Sequence, residues 1–132
     1  MYKRTRTKFG VSITEAGKQR RTSVDYITGE PIMFDSETER KYYDQVIVQG
    51  MKDGTITKYK LQGKYILQPS FKYSGETVRA ITYISDFDVW YADGRFEVID
   101  TKGLATQEAK MKLKMFKYKY PDITIKWLCY SV

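Results

Sequence analysis

Tyr83-Ile-Ser-Asp86-Phe-Asp88-Val-Trp-Tyr91-Ala-Asp93-Gly94-Arg95-Phe-Glu97-Val-Ile-Asp100-Thr-Lys102-Gly103 reads as two apolar runs around Asp93-Gly94, a strong hairpin signal. The first run carries Asp86 and the second ends in Asp100-Thr101-Lys102. Directly opposed hairpin residues share one face of the sheet, so loop length decides which acids meet. A two-residue loop of Asp93 and Gly94 opposes Asp86 to Thr101 and turns Asp100 to the other face. A three-residue loop, Ala92 to Gly94 with Gly94 left-handed, opposes Asp86 to Asp100 and puts Asp88 and Lys102 on their face. Adjacent strands lie ~4.8 Å apart, so two opposed carboxylates can converge on one cation; without one they repel. A metal site here therefore predicts the three-residue loop.

The rest of the chain limits the chemistry. It has 132 residues, 42% of them apolar, which suits one domain with a real core. Mean hydropathy is −0.54, and no apolar run approaches the ~20 residues needed to span a bilayer. The N-terminus lacks the apolar stretch of a signal peptide. Cys129 stands alone, which suits a reducing cytoplasm. With no histidine, imidazole acid–base work and histidine-activated nucleophiles are excluded, and a zinc site is improbable. An oxygen-ligated ion, magnesium or manganese, is the expected cofactor.

The net charge is +7, and most of it lies near the start. Lys3, Arg4, Arg6, Lys8, Lys18, Arg20 and Arg21 oppose only Glu15 in residues 1–21. That segment reads as a basic flexible arm before a single domain over residues 22–132. The expected partner is a polyanion, with Lys3, Arg4, Arg6, Lys8, Arg20 and Arg21 as candidate phosphate contacts.

Ser36-Glu-Thr-Glu39 has capping-box spacing and opens a helix that ends at Gly50 or Gly54. Strands are expected over Thr55–Leu61, Lys64–Tyr73 (with Pro69 marking an edge or bulge) and Thr77–Tyr91, and from Arg95 to Lys102. Thr106 caps a second helix, Gln107–Tyr118, whose Ala109, Leu113, Phe116 and Tyr120 form one buried stripe. A last strand, Ile123–Tyr130, should run parallel to the one before this helix.

Within this frame Asp86 and Asp100 are candidate metal ligands. Lys102 is a candidate catalytic lysine, because an ammonium on that face can orient water or neutralise charge growing on a phosphate. Asp88 reads as an auxiliary ligand or, preferably, a solvated neighbour; Asp93 is a turn residue, and Glu97 is structural on the opposite face. Glu39 is either a helix cap or a third ligand, since its i, i+3, i+4, i+7 stripe with Tyr42, Tyr43 and Val46 is buried. On the second helix, Lys112 and Lys114 are candidate contacts to DNA phosphates.

These residues resemble the PD-(D/E)xK nuclease superfamily. Ser85-Asp86 stands where that pattern has Pro-Asp, and Asp100-Thr101-Lys102 matches (D/E)xK. The chain is more closely similar to small phage-encoded nucleases related to endonuclease I-type Holliday junction resolvases. Phe34 to Glu39, Leu67 to Phe71, Tyr83 to Phe87, Asp100 to Gly103 and Lys112 to Lys114 with Tyr120-Pro121 fit that family's blocks in order. The likeness spans Met33 to Leu128. It implies an α/β, restriction-endonuclease-like αβββαβ core, a mixed sheet flanked by helices. It implies Glu39, Asp86 and Asp100 at a magnesium ion with Lys102 as the catalytic lysine. The expected activity is metal-dependent endonucleolytic cleavage of branched DNA during phage replication or recombination, by a homodimer in the bacterial host cytoplasm, with no membrane. Two other readings stand beside it: a non-catalytic DNA-binding accessory protein on a nuclease-like scaffold, and a nonspecific nicking nuclease.

Overall fold

A computed structural model of the chain describes residues 15–101 and 106–128. The fold is mixed α/β, and a few helices accompany a mixed sheet. In chain order, helix α1 (Glu15–Arg21) leads into a two-stranded ribbon, β1 (Thr22–Val24) with β2 (Pro31–Met33). Ser36 then caps α2 (Glu37–Tyr42), its Oγ accepting from the Glu39 N–H at 3.1 Å. The helix continues through a π-helical turn (Tyr43–Ile47) into α3 (Val48–Asp53) and stops at Gly54. Such side-chain caps are worth ~1 kcal/mol each.

The expected basic arm is corrected at its C-terminal end. Glu15–Arg21 is a docked helix: Arg21 Nε donates to the Phe34 carbonyl at 2.9 Å, and Arg40 Nε donates to the Arg20 carbonyl at 2.7 Å. Lys3, Arg4, Arg6 and Lys8 lie outside the described residues.

From Ile56 to Tyr91 the chain forms one long, bent, two-stranded hairpin. Its ascending side is β3 (Ile56–Leu61), β4 (Lys64–Gln68) and β5 (Phe71–Tyr73). Its descending side is β6 (Glu76–Val78), β7 (Ile81–Ile84) and β8 (Phe87–Tyr91). β3 pairs β8, β4 pairs β7 and β5 pairs β6, all antiparallel. The register of β3 with β8 continues unchanged into β4 with β7. Between them the chain kinks at Gln62, whose φ is +52°. Hydrogen bonds from Gln62 N–H to the Asp86 carbonyl (3.2 Å) and from Ser85 N–H to the Gly63 carbonyl (2.9 Å) bridge this elbow. The strands expected at Lys64–Tyr73 and Thr77–Tyr91 are thus each interrupted, the first at Pro69-Ser70 and the second at Arg79-Ala80 and again at Ser85-Asp86.

β9 (Phe96–Asp100) follows β8 antiparallel, α4 (Gln107–Lys119) follows β9, and β10 (Thr124–Trp127) returns parallel to β9. The four-stranded sheet has the order β10-β9-β8-β3. Thr106 Oγ1 caps α4 by accepting from the Ala109 N–H. The parallel last strand, this cap and the burial of Phe116 agree with the sequence expectation.

Alternate residues of β8 and β9 feed two cores. Phe87, Val89 and Ile99 pack with Phe34, Tyr42, Tyr43, Ile47, Ile56 and Tyr59 beneath the first helical layer. Val98 packs with Leu67, Tyr83 and Phe116 beneath α4. Among the described residues no helix is long and apolar enough to cross a membrane.

Candidate functional site

The β8–β9 hairpin pairs Phe87 with Ile99, Asp88 with Val98, Val89 with Glu97 and Trp90 with Phe96. Tyr91 N–H donates to the Arg95 carbonyl and Gly94 N–H to the Tyr91 carbonyl. The loop is therefore Ala92-Asp93-Gly94, with Gly94 at φ +91°. A β-carbon strains that conformation, which is why glycine suits it. Asp93 caps the turn through Arg95, as a turn residue. Carrying the register one residue beyond Phe87 and Ile99 sets Asp86 opposite Asp100.

Both carboxylates are buried and held by protein donors. Asp86 Oδ2 accepts from Thr101 N–H at 2.7 Å and from Thr101 Oγ1 at 3.0 Å. Past Phe87 the Asp86 N–H still donates to the Ile99 carbonyl at 3.1 Å, and the side chain adds its bonds to Thr101. Asp100 Oδ2 accepts from the Tyr83 hydroxyl at 2.9 Å. Burial, and then the negative charge of Asp100, pushes the Tyr83 hydroxyl far above the usual tyrosine range, so it remains a donor. The carbonyl of Asp100 accepts from Leu128 N–H at 2.7 Å, which ties the strand end to the chain beyond β10.

Asp88 is not a solvated neighbour. It is 4% exposed, its Oδ1 accepts from Ser85 Oγ at 2.7 Å, and its charge, after burial, helps to push the Tyr65 hydroxyl up. Ser85 Oγ in turn accepts from Gly63 N–H at 3.0 Å. The buried carboxylate thus anchors the elbow from which Asp86 projects. This arrangement demands glycine at 63: a β-carbon there would lie 1.9 Å from Asp88 Oδ2. Asp88 cannot swing aside without losing its hydrogen bond from Ser85. Gly63→Ala should therefore cost about 1–3 kcal/mol in chemical denaturation. A loss below about 0.5 kcal/mol, the ordinary range of surface changes, would show that the elbow gives way freely.

Glu97 is structural, as expected. Burial pushes its carboxyl up, but Lys126 Nζ at 2.8 Å, with Tyr91 and Arg95, outweighs this and holds it below the usual range. Glu39 is 2% exposed. It lies one turn before Tyr42, whose ring packs 5.5 Å from Phe87. Among the described residues no three acidic, histidine or cysteine side chains gather closely enough to hold an ion. Asp86 and Asp100 lie at neighbouring strand ends, and both charges act on the Tyr83 hydroxyl. Lys102 lies outside the described residues.

The basic candidates divide. Arg20 faces Glu37 at 3.6 Å, and Arg21 is held by Phe34. Lys112 pairs with Glu108 one turn earlier, at 3.5 Å. Lys114 is exposed on the outer face of α4. Sequence reasoning missed Thr101, Tyr83, Ser85, Tyr65 and Gly63. Only Tyr83 and Thr101 left a signal, as polar side chains next to the acids at the strand ends.

Comparison with curated proteins and with solved structures gave no match. A family model does match residues 19–132, from within α1 to the C-terminal end. It takes in every element that builds the paired acids, the elbow and both cores, so the chain belongs to the family described as protein of unknown function DUF1064.

Proposed function

We propose that this protein is a metal-dependent DNA endonuclease of the PD-(D/E)xK type, acting on branched DNA as a homodimer. One observation carries the reading: the three-residue turn whose register, carried one residue beyond Phe87 and Ile99, aligns two buried aspartates at the ends of adjacent strands. Two buried carboxylates at neighbouring strand ends offer oxygen ligands to a hard cation. The sequence then puts a lysine two residues after the second acid. With each side of the long hairpin counted as one strand, the run from α2 to β10 is compatible with the αβββαβ core that the resemblance implies.

The donor set is all oxygen, which suits a hard cation. Asp86 and Asp100 would hold magnesium or manganese, which when bound supplies positive charge at the scissile phosphate; Glu39 is the third carboxylate that the resemblance implies, and it would have to approach them from α2. Hydrogen bonds that orient ligating carboxylates are usual at such sites, and Thr101 and Tyr83 provide them here. Lys102 is assigned to the phosphate, where its ammonium neutralises charge that grows during attack. Lys114 and the arm residues Lys3, Arg4, Arg6 and Lys8 are assigned to flanking phosphates, where they fix register without reading sequence.

The test compares labelled four-way junction, linear duplex and single strand, each in magnesium, manganese or chelator. The junction should be nicked fastest in metal, and nothing should be cut in chelator. A junction that is bound but uncut in both metals makes the protein an accessory factor. Equal cutting of all three substrates makes it a nonspecific nuclease.

A further inference from the structure

The far end of the long hairpin has no core beneath it. Residues 69–80 are exposed without exception. They form the β5–β6 ribbon, turned at Ser74-Gly75 with both residues at positive φ. From Gln68 to Tyr73 the ribbon extends ~17 Å at ~3.3 Å per residue. A two-stranded ribbon with neither face covered is at best marginally stable in water, so a protein that keeps one has a use for its surface.

That surface is chemically specific. Phe71 pairs with Val78 and Tyr73 with Glu76, so the two aromatics share one face. Tyr73 is 71% exposed and Phe71 44%. Lys72 lies on the other face, its Nζ donating to Thr77 Oγ1 at 2.6 Å, and Arg79 follows Val78. Nearer the elbow, Lys64, Ile66 and Ile84 are also exposed on the outer side of β4 and β7. Ile84 lies two residues before Asp86. Exposed aromatics, aliphatics and cations thus recur from the ribbon tip to Ile84, with Glu76 the acid on the ribbon.

We propose that the β5–β6 ribbon is a nucleic-acid finger whose Phe71 and Tyr73 stack on unpaired bases, while Lys72 and Arg79 meet the adjoining phosphates. This rests on the nuclease reading and adds the feature of the substrate that the protein senses. Stacking on aromatic side chains is available to any base, but only where the base has left the helical stack. The ligand class is thus unstacked bases at a branch, nick or single-stranded end. The excess of Lys64, Lys72 and Arg79 over Glu76 favours this polyanion over a second copy of a chain whose net charge is +7.

The experiment uses the full chain and a four-way junction carrying 2-aminopurine at the branch, in chelator so that nothing is cut. Wild-type protein should quench or shift the probe on binding. The double variant Phe71→Ala with Tyr73→Ala should lose that signal. It should bind the junction on the order of 10-fold or more weakly, since each stacked base is worth ~1–3 kcal/mol, while its affinity for intact duplex changes little. Tyr73→Ser alone, at the most exposed position, gives a partial loss and guards against misfolding of the double variant. Unchanged junction affinity in both variants overturns the finger while leaving the nuclease reading standing. Wild-type protein that binds no DNA overturns both. A wild-type dimer that the double variant converts to monomer, with junction affinity per protomer unaltered, shows that the face is a contact between copies and also overturns the finger.

Discussion

Asp86→Asn and Asp100→Asn should each lower magnesium-dependent cleavage of a four-way junction on the order of 10³-fold or more, as loss of a residue from a cooperating catalytic unit does. Neither should lower the melting midpoint, and Asp86→Asn should raise it slightly. An asparagine oxygen at 86 still accepts from the Thr101 N–H and hydroxyl that now hold Oδ2. Removing the charge relieves repulsion between opposed carboxylates that no longer need a cation. Loss of activity with unchanged or higher stability is the signature of a site kept for function at some cost to the fold. The variants should also lose the stabilisation that added magnesium confers on the wild type, because a ligand of the folded state alone stabilises by mass action. Calorimetry with and without magnesium gives this readout without any cleavage assay. Full activity in both variants would remove Asp86 and Asp100 from the chemistry.

The register of that site was partly legible because it depends on local events. Parity narrows the hairpin to two registers; Asp93-Gly94 suits a loop of two residues or three, and the structure has three. The caps at Ser36 and Thr106 were legible for the same reason: each is a side chain bonding a backbone N–H three residues on. The parallel return of β10 follows from the length of the crossover helix.

What could not be read depends on contacts between distant segments. The elbow at Gln62-Gly63 leaves no pattern in its own sequence. It exists because Ser85 and Asp88, more than twenty residues later, fold over Gly63. Without that knowledge Asp88 looks like any acid on a strand, and burial became apparent only with its partners in view. Glu15–Arg21 reads as part of the arm because it is polar and basic and has no sustained periodicity. Its order comes from the carbonyls of Arg20 and Phe34, which meet Arg40 and Arg21 across the fold. Periodicity rightly put Glu39 on a buried stripe, but it is silent on which face of the sheet that stripe covers. The strand breaks between residues 64 and 91 mark where the long hairpin leaves the core, and the alternation that signals a strand fades where neither face is buried.

Phe87→Ala is expected to be the most destabilising single substitution near the site. The ring is fully buried, with ring centroids 6.2 Å from Phe34, 5.5 Å from Tyr42 and 6.4 Å from Tyr43. On the sheet it is paired with Ile99 on one side and Leu61 on the other. Truncation leaves a cavity bounded by strand backbone and by rings that are themselves wedged, so collapse is limited. The cost should be about 3–5 kcal/mol, against the roughly 5–15 kcal/mol that holds a typical domain together. In urea the midpoint should fall by ~2 M for a slope of ~2 kcal/mol per M. Phe87→Leu, which keeps most of the volume, should cost far less. The substitution also tests how the first helical layer is tied to the acids. Tyr42, one turn after Glu39, rests on this ring, while Asp86 is the residue before it. Under conditions where Phe87→Ala is still mostly folded, its cleavage rate should fall further than the folded fraction accounts for, because α2 has lost its anchor. A rate that tracks the folded fraction alone would mean that α2, and Glu39 with it, does not contribute to the chemistry.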